Sequence, residues 1–209
     1  QQRDAANTWS GDVMCNWETF RKQIPTGLNF SLSGIPYWNT DIGGFFNWPY
    51  HGGAENKAYH ELYTRWFQYG TFLPMQRSHG SGVKKEIYNL GKKGDWVYDS
   101  EEKYINLRYA LLPYLYSTGW QVTDNAGSFL RALFMDFNED KKVHTISNQY
   151  MFGKAFLVTP VTRNMYVFSD KEQWKDPYED FSKTGTQDVY LPKGTKWFDF
   201  WTGEALNGG

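Results

Sequence analysis

The stretch FSLSGIPYWNTDIGGF, residues 30–45, predicts the fold of the first half of the chain. Its apolar residues alternate with serines as far as Gly34, and an alternation with a period of two predicts a β-strand. This strand runs into the polar segment NTDIGG, which carries Asp41 and two glycines. Strands that end in polar loops are typical of parallel sheets and barrels, whose sites lie at the strand ends.

Helical patterns flank this predicted strand. Asn16 is expected to cap a helix with an apolar side, and Pro25 and Gly27 are expected to end it. A second helix is expected at Ala54–Phe67, and the segment GTFLPMQRSHG after it is expected to be a short buried strand. A third helix is expected to start near Asp99, with a capping box, and to be kinked at Pro113.

The character of the sequence changes after Gly127. The residues before it alternate between helix and strand patterns, which predicts an α/β fold with a parallel sheet or barrel. The residues after it contain five strand-like runs, RALFMDF, YMFGKAFLVTPV, MYVFS, DVYLP and KWFDFW, which predict an all-β domain, a sandwich. A closed (β/α)8 barrel needs roughly 250 residues, so residues 1–127 would be the C-terminal portion of one and residues 128–209 the sandwich.

Composition excludes several classes of partner. The net charge is −1, with 22 basic and 23 acidic residues, so no nucleic-acid partner is expected. Cys15 is the sole cysteine and the four histidines lack metal-ligand spacing, so we expect neither a metal nor a cofactor. No apolar run reaches the length of about eighteen residues that a membrane span requires.

Aromatic residues make up 19% of the chain, and this allows two interpretations. The rings can fill a well-packed β-rich core, or they can stack on the C–H faces of sugars. Composition alone does not distinguish these interpretations.

Polar residues gather at one predicted rim. Asp41 ends one predicted strand, Arg77 and His79 end the next, and Asp12 would follow a barrel strand lost before the start of the chain. Each also has an ordinary structural explanation: a turn or helix-entry residue for Asp12, a turn residue for Asp41, and an ion pair or a structural histidine for the others.

Six segments in order resemble glycoside hydrolase family 31, whose members cleave α-linked sugars. They are WSGD, LSGIPYWNTDIGGF, FLPMQRSHG, YINLRYALLPYLYS, YMFGKAFLVTPV and VYLPKGTKWFDFWTG, and they span the chain from end to end. The family fold is a (β/α)8 catalytic barrel followed by β-sandwich domains, which implies that residues 128–209 are the proximal C-terminal sandwich.

The resemblance also implies roles for the rim residues. Asp12 of WSGD matches the general acid/base, and Trp9 matches an aromatic wall of the sugar site. Asp41 matches an acceptor for sugar hydroxyls, and Phe45 a nearby apolar wall. His79 matches a donor to another hydroxyl of the same ring, and Arg77 matches a support for the carboxylate cluster.

Family members retain anomeric configuration and need a second carboxylate, the nucleophile, about 5–5.5 Å from the acid/base. In the family it lies upstream of WSGD, so we expect a fragment limited to this chain to be inactive. The segment RSHGSGVKKEIYNLG resembles the corresponding loop of bacterial α-xylosidases, which predicts release of α-linked xylose from xyloglucan-type oligosaccharides. An α-glucosidase and a non-catalytic carbohydrate-binding module stay open as alternatives, and family habit suggests a periplasmic or secreted protein.

Overall fold

The computed structural model describes residues 6–183 and 185–209. Helices dominate the first part of the chain and short strands the second. The helices are α1 (Trp17–Leu32), α2 (Lys57–Thr71), α3 (Ile87–Leu90), α4 (Trp96–Ala110), α5 (Leu112–Asn125) and α6 (Leu133–Asp136). The strands are β1 (Thr8–Trp9), β2 (Trp38–Asn39), β3 (Leu130–Ala132), β4 (Tyr150–Phe152), β5 (Phe156–Val158), β6 (Val167–Phe168), β7 (Tyr178–Glu179), β8 (Lys196–Phe198) and β9 (Ala205–Asn207).

Helix α1 begins where the sequence predicts but extends further. The Asn16 side chain accepts a hydrogen bond from the Thr19 N–H at 2.7 Å, which caps the first turn as expected. The helix then continues through Pro25 and Gly27 to Leu32, so the prediction that these two residues end it is wrong. Gly27 instead gives space to Trp38, because a Cβ at this position would lie 2.6 Å from the indole ring.

The prediction of a strand from residue 30 onward is also wrong. Residues 30–32 form the last turn of α1, and the strand β2 is limited to Trp38 and Asn39. Ser31 faces inward from that last turn and its hydroxyl donates to the carbonyl of Leu130, which holds α1 against β3. Strands β1 and β2 pair in parallel, with Thr8 opposite Trp38 and Trp9 opposite Asn39. The strand before Asp12, which we expected to be lost, is therefore β1.

Residues 70–80 do not form the predicted strand. Helix α2 starts after an Asn56 cap, later than the predicted start at Ala54, and runs to Thr71. The described residues that follow it, 72–80, form no strand but still lie alongside the segment that contains Asp41. The Ile42 N–H donates to the Arg77 carbonyl at 3.0 Å, and Phe46 makes a parallel bridge with Ser81.

The third predicted helix is divided. Its start is Trp96 rather than Asp99, and Asp99 lies in the first turn, where its carboxylate accepts from the Gly94 N–H at 2.9 Å. The helix stops at Ala110, and α5 begins at Leu112 with Pro113 in its first turn, where the missing N–H costs no hydrogen bond. The break therefore lies where the proline predicts a kink.

Residues 126–209 carry the described strands β3 to β9. Strands β3, β4 and β5 form an antiparallel sheet, with Arg131 opposite Met151 and Met151 opposite Leu157. Strands β6 and β7 form one antiparallel pair and β8 and β9 another. The predicted run DVYLP contains no strand, and most of RALFMDF forms α6.

One aromatic core joins the helical part to the first sheet. Phe20 of α1 stacks on Trp66 of α2 with ring centroids 4.7 Å apart, and Tyr69 of α2 meets Tyr150 of β4 edge-on at 6.1 Å. The Tyr150 hydroxyl donates to the Phe72 carbonyl at 2.9 Å, so a buried polar group is satisfied across the junction. Among the helices described, none combines the length and the apolar character needed to cross a membrane.

Candidate active site

Three segments meet at one end of the β1–β2 pair. They are the turn after β1, the turn after β2, and residues 77–81. The Phe45 N–H donates to the Val13 carbonyl at 2.7 Å, and the Ser81 N–H donates to the Phe45 carbonyl at 3.0 Å. These main-chain bonds bring together the segments that carry the predicted site residues.

Asp41 and Arg77 form the centre of the cluster. Asp41 is completely buried, and its Oδ1 accepts a hydrogen bond from Arg77 Nη1 at 2.6 Å, while the Arg77 side chain is about one third exposed. The other carboxylate oxygen, Oδ2, is buried without a hydrogen-bond partner among the described residues. Asp41 thus binds Arg77 through Oδ1, and its Oδ2 remains available as a hydrogen-bond acceptor.

Burial governs the electrostatics of Asp41. Loss of water raises the pKa of the Asp41 carboxyl above its usual range, against the positive charges of Arg77, His79 and Lys85. The negative charge of Asp12 adds to the increase in this pKa. All these side chains therefore lie within electrostatic range of one buried carboxylate.

Trp9 and Asp12 lie on the exposed side of the cluster. The Arg77 guanidinium carbon is 5.9 Å from the centre of the Trp9 ring, which remains 47% exposed and available for stacking. Asp12 is exposed and follows Gly11, whose φ of +77° makes the turn. The Ser10 hydroxyl donates to the Thr40 hydroxyl at 3.3 Å, which ties this turn to the segment before Asp41.

His79 and Phe45 form the second wall. Their ring centroids are 5.5 Å apart with an interplanar angle of 53°, and the imidazole is exposed. Phe46 packs edge-on against Phe45 at 4.8 Å and supports it from behind. The six predicted site residues, Trp9, Asp12, Asp41, Phe45, Arg77 and His79, therefore gather in one region of the structure, in which Asp41 is buried.

Sequence reasoning missed Lys85. This lysine is 6% exposed, and its ammonium donates to the carbonyls of Ile42 at 2.9 Å, of His79 at 2.7 Å and of Gly44. Burial lowers the pKa of Lys85 to about 8, and the negative charge of Asp41 opposes this decrease. The string KKE shows no motif that distinguishes Lys85 from its exposed neighbour Lys84, because the acceptors are main-chain atoms from distant segments.

The arrangement can bind a polyhydroxylated ring and transfer a proton to it. Asp41, Arg77 and His79 offer acceptors and donors side by side, and Trp9 and Phe45 offer apolar faces. Asp12 is the exposed carboxylate of the cluster, so it can exchange a proton. A cavity of about 870 Å³ lies elsewhere, between β5 and the β8–β9 pair, and is lined by none of these side chains.

Comparison with known proteins gives consistent matches along the chain. Residues 1–118 match the TIM-barrel domain of glycosyl hydrolases family 31, and residues 126–209 match the family 31 C-terminal domain. An α-xylosidase of Saccharolobus solfataricus is 46% identical over all of this chain and 25% of its own length. An α-glucosidase 2 of Bacillus thermoamyloliquefaciens is 31% identical over all of this chain and 23% of its own length.

Solved structures give a similar result. The crystal structure of a family 31 α-xylosidase from Xanthomonas citri is 40% identical, with a TM-score of 0.84 over 99% of this chain and 21% of that one. A family 31 α-xylosidase from a soil metagenome, complexed with xylose, is 32% identical, with a TM-score of 0.79 over 97% of this chain and 29% of that one. The chain spans about a quarter of the length of the α-xylosidase and the α-glucosidase named above.

Proposed function

This chain belongs to glycoside hydrolase family 31, and we propose that it supplies the acid/base side of a retaining α-glycosidase site. The observation that carries the proposal is the meeting of Asp12, the Asp41–Arg77 pair and His79 at the ends of the parallel segments β1, β2 and 77–81. Residues 1–127 would be the closing part of a (β/α)8 barrel, and residues 128–209 the proximal β-sandwich domain.

Asp12 acts first as the acid and then as the base. Its carboxyl donates a proton to the glycosidic oxygen as the bond to C1 breaks, and its carboxylate then takes a proton from the water that releases the sugar. Asp41 and His79 hold hydroxyl groups of the reacting ring, Arg77 fixes Asp41, and Trp9 and Phe45 enclose the ring. No cofactor or metal takes part in these steps.

The second carboxylate of the mechanism is not among the residues assigned here. A retaining site needs a nucleophile about 5–5.5 Å from the acid/base. A polypeptide limited to these 209 residues is therefore expected to release no sugar. An active 209-residue polypeptide would contradict this part of the proposal.

We propose α-linked xylosyl oligosaccharides of the xyloglucan type as the substrate. The 46% identity to an α-xylosidase over the whole chain supports xylose, and the α-glucosidase at 31% identity supports the alternative, an α-linked glucoside. Values of kcat/KM for p-nitrophenyl α-xyloside and α-glucoside, with enzyme expressed from the complete open reading frame, decide between them. Preference for the glucoside would overturn the xylose assignment and leave the glycosidase assignment in place.

The role of Asp12 is tested with Asp12→Asn. General acid/base catalysis contributes about 10²- to 10⁴-fold, so kcat/KM on a natural α-linked oligosaccharide should fall by that factor. The loss should be smaller for p-nitrophenyl glycosides, whose leaving group needs little protonation. Asp176→Asn, at an exposed aspartate paired with Lys171, is the matched control and should retain full activity. Equal activity of both variants would exclude Asp12 as the acid/base, and sugar binding without any turnover by the wild type would favour a carbohydrate-binding module.

A further inference from the structure

Lys85 is a buried cation whose hydrogen-bond partners are main-chain carbonyls. Its ammonium has three N–H donors, and the three acceptors are the carbonyls of Ile42, Gly44 and His79. An ammonium is costly to bury unless its donors are satisfied, and here each donor has an acceptor. The Lys85 side chain therefore links three main-chain carbonyls through one ammonium group.

The three carbonyls belong to two segments of the candidate site. Ile42 and Gly44 lie one and three residues after Asp41, whereas His79 carries the imidazole that contacts Phe45. One ammonium thus joins the segment of the buried carboxylate to the segment of the exposed imidazole. Main-chain hydrogen bonds from Ile42 to Arg77 and from Ser81 to Phe45 also join these two segments.

The neighbouring residues leave space for this side chain and fix it. A Cβ at Gly80 would lie 2.7 Å from Lys85 Nζ and 2.8 Å from the Phe45 carbonyl oxygen, so glycine is required beside the ammonium. The Tyr63 hydroxyl donates to the Lys85 carbonyl at 2.8 Å and also bonds to the Ser78 hydroxyl at 2.7 Å. Both the main chain and the tip of Lys85 are therefore held in place.

We propose that Lys85 is a positioning residue, which sets the separation between the Asp41–Arg77 pair and the His79 imidazole so that both meet the same sugar ring. It touches no substrate and acts through the two segments it joins. The catalytic part of this inference rests on the proposed function, whereas the connection between the segments does not.

Hydrogen exchange tests the connection without reference to activity. Lys85→Met keeps the aliphatic stem and removes the donors, so exchange of amides in residues 42–46 and 78–81 should rise together, by about tenfold or more. Lys93→Met removes a lysine that is 80% exposed and should leave both segments unchanged. Unchanged exchange in Lys85→Met would overturn the proposal whatever the protein hydrolyses.

Kinetics test the positioning role with a double-mutant cycle. In enzyme expressed from the complete open reading frame, Lys85→Met should lower kcat/KM by about 100-fold at a temperature where the variant is fully folded, because a displacement of about 1 Å has an effect of that size. If Lys85 acts through His79, Lys85→Met should cost much less in a His79→Ala background. Lys85→Arg, which keeps the charge and N–H donors, should recover part of the activity.

A second variant covers the case in which Lys85→Met does not fold. Gly80→Ala retains the lysine but obstructs the place of its ammonium, and should reproduce the rise in exchange and the loss in kcat/KM. Additive effects of the Lys85 and His79 substitutions would overturn the positioning role. Failure of the wild-type enzyme from the complete open reading frame to cleave any α-glycoside would instead overturn the proposed function, and the exchange experiment would still decide whether Lys85 joins the segments.

Discussion

The Arg77 guanidinium donates to the Asp41 carboxylate over 2.6 Å, and this aspartate has no exposed surface. A buried charge without its partner is far less stable than a paired one, so each residue depends on the other. Arg77 also lies beside the Trp9 ring, which connects the buried carboxylate to the exposed aromatic wall. The pair therefore stabilises the fold and shapes the site.

Arg77→Met should destabilise the protein by about 3 kcal/mol, because it leaves the buried Asp41 carboxylate without its hydrogen-bonded cation. Asp41→Asn in addition should recover part of this loss, since the amide carries no charge. The free energies of unfolding of both single variants and of the double variant measure this coupling. Lys22→Met, which removes an exposed ion pair with Glu18, is the control and should cause no measurable change. Equal stability of Arg77→Met and Lys22→Met would contradict the conclusion that Asp41 depends on Arg77.

Local signals in the sequence predicted the caps and breaks of several elements. Asn16 caps α1 because its side chain reaches the Thr19 N–H three residues away, and Pro113 interrupts the third helix because it lacks an N–H. Motif reasoning also predicted the meeting of Asp12, Asp41, Arg77 and His79. The first two features depend on neighbours in sequence. The last depends on the assumption of a barrel with polar strand ends, together with a family resemblance.

Features that depend on distant contacts could not be predicted. Residues 30–32 alternate as a strand does, but Ser31 bonds to the Leu130 carbonyl almost a hundred residues away, and the last turn of α1 is the conformation that allows it. Gly27 leaves space for the Trp38 ring and does not end the helix. Lys85 gave no signal because its acceptors come from two segments that meet only in the folded chain.

Glu61 of α2 provides the next prediction. Its carboxylate is 2% exposed and accepts main-chain hydrogen bonds from Met165 at 2.7 Å, from Val167 at 2.8 Å, and from Tyr166 between them. Three N–H donors around one carboxylate form an anion nest, which here holds β6 against α2.

Glu61→Ala should lower the free energy of unfolding by about 3 kcal/mol, because hydrogen bonds to charged groups are the strong ones and three buried N–H groups lose their acceptor. Urea denaturation measures the loss, and hydrogen exchange should rise at residues 165–167. The free energy of unfolding of Glu61→Gln, which keeps one carbonyl oxygen, should lie between those of Glu61→Ala and the wild type. Glu102→Gln, at a partly exposed position of α4, should match the wild type, and a similar loss there would refute the specific role of the nest.

Gly44 and Gly203 form a matched pair for testing close packing beside the site. Both have φ of +75°, but a Cβ at Gly44 would lie 2.5 Å from the Cys15 Cα, whereas a Cβ at Gly203 would meet nothing within 4 Å. Gly203→Ala should therefore cost only the left-handed backbone strain, about 1 kcal/mol. Gly44→Ala should cost more than twice as much, because main-chain atoms cannot rotate away. It should also reduce kcat/KM by displacing Phe45. Equal costs in urea denaturation would show that the contact with Cys15 does not matter.

Burial of Glu101 in α4 should make the stability of the protein depend on pH. The side chain is completely buried, its Oε1 accepts from the Thr64 hydroxyl at 3.4 Å, and its Oε2 has no partner among residues 6–183 and 185–209. Burial raises the pKa of Glu101 from 4.5 to about 8, against the smaller opposing effect of the Thr64 hydrogen bond. The folded state thus binds this proton more tightly than the unfolded state.

The raised pKa determines the sign of the effect. The stability contributed by the protonated carboxyl is fully present below pH 4.5 and is lost as pH rises through about 8. Between these values the free energy of unfolding of the wild type should fall, relative to Glu101→Gln, by up to about 1.4 kcal/mol per pH unit. Urea denaturation of both proteins from pH 5 to 9 measures the difference, in which all other titrating groups cancel. The two curves should diverge up to about pH 8 and then run parallel, because above that value Glu101 is ionised in both states. Curves that stay parallel over the whole range would show that Glu101 is already ionised at pH 5.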